Sequence, residues 1–190
     1  MNIHHFNELP IAQQDDIAEQ VSYETKSLYG TEQKITPVEP SDIFLKDIGM
    51  VALHNNDFMG YIAATDPNPR TVLYGYELMT ETPDTDASRT VLDGKFKKVG
   101  SLVVLEPFRS SGIGNNLILA ITQEVIEAGS TPFAFCNQSS QPCFAEAGYV
   151  ETLAEELPSD FQSPFGNQPM IYTNNISVRH LRQFATLTHA

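Results

Sequence analysis

The residues best suited to chemistry lie in one short run, Val103-Val104-Leu105-Glu106-Pro107-Phe108-Arg109-Ser110-Ser111-Gly112-Ile113-Gly114, where an apolar strand passes directly into a helix. A helix start leaves backbone N–H groups without internal partners and carries the positive end of the helix dipole, so it attracts phosphate. Gly112 and Gly114 let the backbone approach an anion closely, and Arg109 adds a permanent positive charge. No other Lys or Arg occurs between Ser110 and Ser177, which isolates Arg109 beside the Gly-x-Gly pair. Two other phosphate motifs fail. A dinucleotide fingerprint needs glycine at position 117, where Leu117 stands, and a P-loop needs Gly-Lys-Ser/Thr, which the chain lacks. The same glycines would also serve a strand-to-helix turn that binds nothing.

A second segment, Asn137-Gln138-Ser139-Ser140-Gln141-Pro142-Cys143-Phe144-Ala145-Glu146-Ala147-Gly148-Tyr149, follows at the distance of one strand. Together the two segments resemble the GNAT superfamily of N-acetyltransferases. Arg109 to Gly114, preceded by Leu102-Val103-Val104, is similar to its pyrophosphate motif R/Q-x-x-G-x-G/A. Ser110 departs from the glycine common at that place. Phe144 with Gly148-Tyr149 is similar to the second motif, an aromatic, three residues, then Gly-Phe/Tyr. The resemblance covers Val99 to Tyr149. It implies that acetyl-CoA is the co-substrate, with its pantetheine lying like an extra strand in a gap between the strand from Val99 and the one ending at Cys136. Leu102 and Val104 would bond it through their backbones, one strand N–H would polarise the thioester carbonyl, and Asn137 would bond the pantetheine arm. Val103, Arg109, Ser110, Ser111, Gly112, Ile113, Gly114 and Phe144 complete the implied cofactor set.

The aromatic of the second motif is often a tyrosine that protonates the leaving thiolate; Phe144 has no proton to give. Glu106 as a base and Cys143 as a weak donor are the remaining catalytic candidates. Each has a plain alternative, an acid in a first helical turn and a core thiol. The implied activity is direct attack of a primary amine on the thioester in a ternary complex. A GNAT-like sensor that binds acyl-CoA without turning it over is the alternative, and Phe144 is the feature pointing to it. An acidic stretch (Glu151, Glu155, Glu156, Asp160) would suit a cationic acceptor or be a solvated loop.

The elements that must position these residues follow from pattern. Pro10 to Tyr29 reads as a helix with a stripe of Ile11, Ile17, Val21 and Leu28, stopped by Gly30. Thr36 to Asp42 reads as a turn. Ile48 to His54 and Phe58 to Thr65 read as a hairpin about Asn55-Asn56-Asp57, since Asn tolerates left-handed backbone. Thr71 to Met79 is a strand or short helix and Thr80 to Asp93 a polar loop. Then come a strand (Val99 to Leu105), a helix (Ser111 to Ala128) capped by Gly129, a strand (Thr131 to Cys136), a short helix (Ser139 to Ala147) closed by Gly148, and a last strand (Pro169 to Thr173). The second helix has an apolar face of Ile113, Leu117, Ala120, Ile121, Val125 and Ala128.

These elements give an α/β fold, a mixed and largely antiparallel sheet with helices on both faces. One GNAT-like domain is expected over residues 1–175, with a short tail at 176–190. At 190 residues the chain can bury a real core. With 11 Lys and Arg against 24 Asp and Glu, the net charge of −13 argues against nucleic acid or an anionic membrane as partner. The acceptor is then a small-molecule or protein amine, and a homodimer is left open. No apolar run approaches a spanning helix, and the first residues lack the basic and apolar regions of a signal peptide. Cys136 and Cys143, the only cysteines, fit reduced thiols in a cytoplasmic protein and do not make a zinc motif. The histidines are scattered, and Tyr74, Tyr76, Glu77 and Tyr172 lie where acceptor-side elements are expected, without assigned roles.

Overall fold

A computed structural model describes residues 1–28, 37–66, 96–151 and 167–172. In chain order its elements are β1 (Asn2–His5), α1 (Ile11–Ser27), α2 (Pro40–Phe44), β2 (Ile48–His54), β3 (Asp57–Thr65), β4 (Phe96–Val104), α3 (Ile113–Glu127), β5 (Thr131–Cys136), α4 (Gln141–Glu146), β6 (Tyr149–Glu151) and β7 (Gln168–Tyr172). The strands form one seven-stranded sheet in the order β1-β2-β3-β4-β5-β7-β6. Every neighbouring pair is antiparallel except β4 and β5. The mixed, largely antiparallel sheet read from the sequence is therefore the one observed.

Local chemistry explains the best-defined pieces. Asn55 (φ 51°) and Asn56 (φ 71°) are both left-handed, the conformation of a two-residue hairpin turn whose twist matches its strands. At the end of α3, Gly129 (φ 79°) donates to the Ile126 carbonyl and Ser130 to that of Val125, the paired bonds of a Schellman stop. Gly60 is small by necessity. A Cβ there would sit 2.8 Å from the Val103 carbonyl oxygen, so β3 and β4 close on each other only without one.

Each face of the sheet buries its own core. On one side α3 and α4 cover Ala52, Ile62, Val99 and Ala134, with Leu117, Ile118, Ile121 and Val125 supplying the helical surface. On the other, α1 and α2 cover Val51, Leu53, Tyr61 and Val103 with Ile17, Ala18, Val21 and Ile43. The stripes differ somewhat from the pattern-based ones. Ile11 is exposed on α1, where Ser22 and Thr25 are buried instead, and Ile118 and Thr122 turn inward on α3 while Ala128 is exposed.

Three elements were not expected: β1, α2 and β6. Each is short, so no periodicity could mark it. α2 begins within the stretch read as a turn and runs two residues past it, and its start is held by Glu39 and Asp42, whose side chains and backbone N–H groups form a capping box. The expected helix end near Tyr29 and Gly30, the elements from Thr71 to Asp93, the acidic residues Glu155, Glu156 and Asp160, and the tail all lie outside the described residues, as do Tyr74, Tyr76 and Glu77.

Candidate functional site

The site is built on the edge of β4. Strand β4 pairs with β3 along its length, and Leu105 continues the ladder by donating to the Met59 carbonyl at 3.0 Å. Midway the register slips, so that Ser101 and Leu102 together face Ile62, and Ser101 takes a left-handed φ of 54°. Such a bulge bends the strand and increases its twist. On its other side β4 pairs with β5 only as far as Val99↔Ala134. Beyond that rung β5 continues through Phe135 and Cys136, paired to β7. The two parallel strands therefore diverge, and among the described residues Gly100 to Val104 have no strand partner on the β5 side. The gap expected from the sequence is present. An unpaired edge of this kind offers alternating N–H and C=O groups to an extended amide-bearing ligand.

The open end of the gap runs into the predicted phosphate turn. After a 3-10 turn at Glu106–Phe108, Ser110 (φ 61°) and Gly112 (φ 82°) take left-handed conformations, and α3 begins at Ile113. No side chain caps this helix start; the first intrahelical bond is from Asn116 N–H to the Gly112 carbonyl at 3.0 Å. A Cβ on Gly112 would meet nothing within 4 Å, so the space over the turn is open. Gly114 stands beside Val104 and Leu102, the nearest atoms to a Cβ there lying at 3.8 and 4.0 Å. The turn and the strand edge thus form one continuous surface. Ser111 donates its hydroxyl to the Phe108 carbonyl, which fixes the turn from within.

Arg109 is placed differently from the expectation of a charge aimed at phosphate. Its Nε donates to the Val104 carbonyl at 3.0 Å and its Nη2 lies 3.4 Å from Glu24 Oε2 on α1. The guanidinium therefore ties the turn to the end of β4 and to α1, and the anion-attracting groups left at the turn are backbone N–H groups. Asn137 follows β5 directly. Its side-chain oxygen accepts from the Ser139 hydroxyl (2.8 Å) and the Ser140 N–H (2.9 Å), which organises the start of α4.

Phe144 is a core residue, only 3% exposed, with its ring edge-to-face against Tyr149 at 5.0 Å between centroids. Tyr149 in turn shares a 2.8 Å hydrogen bond with Thr122. Cys143, one residue earlier, is partly exposed; burial and the Glu146 carboxylate raise its pKa and keep it a thiol. Cys136 is buried, and that burial pushes its thiol up to about 12. Neither is a ready thiolate nucleophile. Glu106 is exposed in the turn beyond the strand, at the open end of the gap. It stands beyond the end of β4, six residues along the chain from Gly100. Among the described residues no cluster of His, Cys, Asp and Glu could hold a metal ion.

Reading by motif missed Lys98. It lies on β4 one rung before the divergence, paired with Phe133, and its ammonium sits 5.9 Å from the centroid of the Phe135 ring. Burial and the like charge of Lys46 lower its pKa to about 8. Two successive lysines, Lys97 and Lys98, at the start of a strand that continues largely apolar were the signal available.

Residues 85–157 match a family model described as FR47-like protein, a span holding β4, the turn, α3, β5 and α4. No curated protein sequence matches the chain. Among solved structures, a GNAT-family acetyltransferase from Staphylococcus aureus Mu50 is similar at 15% identity, covering 90% of this chain and 97% of the other with a TM-score of 0.60. Ribosomal-protein-alanine N-acetyltransferase from Brucella melitensis gives 15% identity, coverage of 90% and 96%, and a TM-score of 0.57. An aminoglycoside 6'-N-acetyltransferase complexed with coenzyme A gives 15% identity, 90% and 94% coverage, and a TM-score of 0.56. The chain has the fold that these acetyltransferases share, with diverging parallel strands and an uncapped helix start on one sheet. The matched segment within it is FR47-like.

Proposed function

We propose that the protein is an acyl-CoA-dependent N-acetyltransferase that moves an acetyl group from acetyl-CoA to a primary amine. The single observation carrying this reading is the edge of β4 from Gly100 to Val104, which among the described residues has no strand partner on the β5 side and leads to the uncapped, left-handed turn at Gly112. The open space at Gly112 and the unpaired strand edge fit the two ends of such a co-substrate, a diphosphate and an amide-bearing arm. Backbone N–H groups of Ile113 and Gly114 would take the diphosphate, and Leu102 and Val104 would pair with the arm. A strand N–H near the bulge would then face the thioester oxygen as it gains charge.

In the reaction the amine nitrogen bonds to the thioester carbon, the C–S bond breaks, the amine loses a proton and the thiolate gains one. Phe144, buried against Tyr149, has no proton to give, and water supplies that last proton. The protein's contribution is chiefly alignment of the amine with the thioester. The acceptor is a small-molecule or protein amine, and the net charge of −13 disfavours nucleic acid and anionic lipid.

Thiol release from acetyl-CoA in the presence of a panel of primary amines tests the proposal. Amine-dependent release supports it. Tight CoA binding without release for any amine would leave a binding module instead.

A further inference from the structure

Lys98 occupies a position that acetyl transfer to a generic amine does not explain. Val99 and Ala134, the last paired residues of β4 and β5, send their side chains into the core under α3. Lys98 and Phe135, their neighbours in sequence, therefore project from the opposite face, the one carrying α1 and α2. Phe135 is the first residue of β5 past the last rung. Its ring packs edge-to-face on Phe133, centroids 5.8 Å apart, and the Lys98 ammonium lies over it at 5.9 Å. The ammonium thus stands at the closed end of the gap, on the side away from α3.

Among the described residues that ammonium has no counter-charge. Lys97, next to it, is paired with Asp47 at 2.8 Å and Asp66 at 2.7 Å. Among the described residues Lys98 makes no ion pair or hydrogen bond, and the charged group that acts on it is another cation, Lys46. The lowered pKa of Lys98 reflects the same arrangement of burial and like charge. A partly buried cation without a partner is unfavourable, and the chain, with only 11 basic residues against 24 acidic ones, has ample carboxylates with which to pair it. A ligand anion would relieve it.

The reading of the gap as the acetyl-CoA site, on which this step rests, places the diphosphate at Gly112 and the reactive end of the co-substrate toward Gly100. The acceptor must meet that end, beside Lys98. We propose that the acceptor amine carries a carboxylate and that the Lys98 ammonium binds it at the closed end of the β4–β5 gap, over Phe135. A single ammonium is a compact point charge without the flat fork of arginine, which suits one carboxylate better than a dianionic phosphate. The substrate class is therefore small amino acids, α or ω.

The test compares α- and ω-amino acids with their carboxamides as acceptors, in the wild type, Lys98→Met and Lys98→Arg, with CoA binding measured for each to verify the fold. In the wild type kcat/KM should favour the acid over its carboxamide. In Lys98→Met that ratio should fall by about tenfold to a hundredfold, through KM, the range of a hydrogen bond to a charged group. Lys98→Arg should retain part of the preference. A wild type that prefers carboxamides, or a Lys98→Met variant that loses activity equally on both, would overturn the proposal. Where no amine is acetylated, transfer itself fails, and calorimetry on the CoA-loaded protein decides the remainder. Binding of amino acids that depends on Lys98 sustains the carboxylate site, and no binding of any of them overturns it.

Discussion

Gly112 shows how much one residue of the turn is asked to do. Its φ of 82° suits glycine, and the space where a Cβ would stand is empty. Any side chain there incurs about 1–2 kcal/mol of backbone strain, least for Asn and Asp. Comparing Gly112→Asp with Gly112→Asn therefore holds strain and shape nearly constant and varies only charge. The aspartate should abolish CoA binding measured by calorimetry, because a carboxylate would face the diphosphate; the asparagine should weaken it far less. Equal affinities in the two variants would put the phosphates elsewhere. Phe144 makes the complementary case. From sequence it leaves a vacancy for a general acid, but the ring is buried against Tyr149 in the core under α3. Phe144→Tyr should accordingly lower stability by about 1–3 kcal/mol, the range for a buried hydroxyl without a partner. Turnover should not rise. Higher turnover at an unchanged melting temperature would restore the acid-vacancy reading.

Among the elements, what the sequence made legible is what local chemistry dictates. The Asn55-Asn56 turn, the Gly129 stop of α3, and the boundaries of β2 and β5 needed no tertiary information. The gap was legible only through resemblance, because strand divergence is decided by the β4 bulge and by what pairs with β5, neither of which has a local signature. For the same reason the partners of Arg109 were not legible in the sequence. Its partners are the Val104 carbonyl and Glu24 on α1, and the latter is distant in sequence. Lys98 escaped notice because its meaning lies in the rung it occupies. The edge of the gap also stores strain at both ends, with Ser101 (φ 54°) in the bulge and Ser110 (φ 61°) in the turn, each a non-glycine residue in left-handed backbone. The double variant Ser101→Gly with Ser110→Gly relieves both. Allowing for the greater freedom of glycine in the unfolded chain, it should gain about 1 kcal/mol in denaturant unfolding. A loss of stability would mean that the serine side chains hold these conformations through contacts that outweigh the backbone term.

At the scale of the whole molecule, charge and site oppose each other. The chain carries −13, whereas the proposed co-substrate is itself a polyanion, and the groups that would receive it are uncharged backbone N–H groups with short reach. Arg109 does little to offset this at a distance, since its guanidinium lies beside Glu24. Encounter is therefore governed by repulsion over tens of ångströms, and binding by attraction over a few. Salt screens the first far more than the second, since the Debye length falls to about 8 Å at physiological ionic strength. Stopped-flow measurements should show the association rate of CoA rising between low and physiological salt, with dissociation changing less, so that affinity holds or improves. Most anion sites behave in the opposite sense, being steered by exposed lysines and arginines that salt weakens. An association rate that falls with salt would mean that a local positive surface outweighs the net charge at the mouth of the gap. The diphosphate would then be received by cationic side chains rather than by the bare helix start of α3.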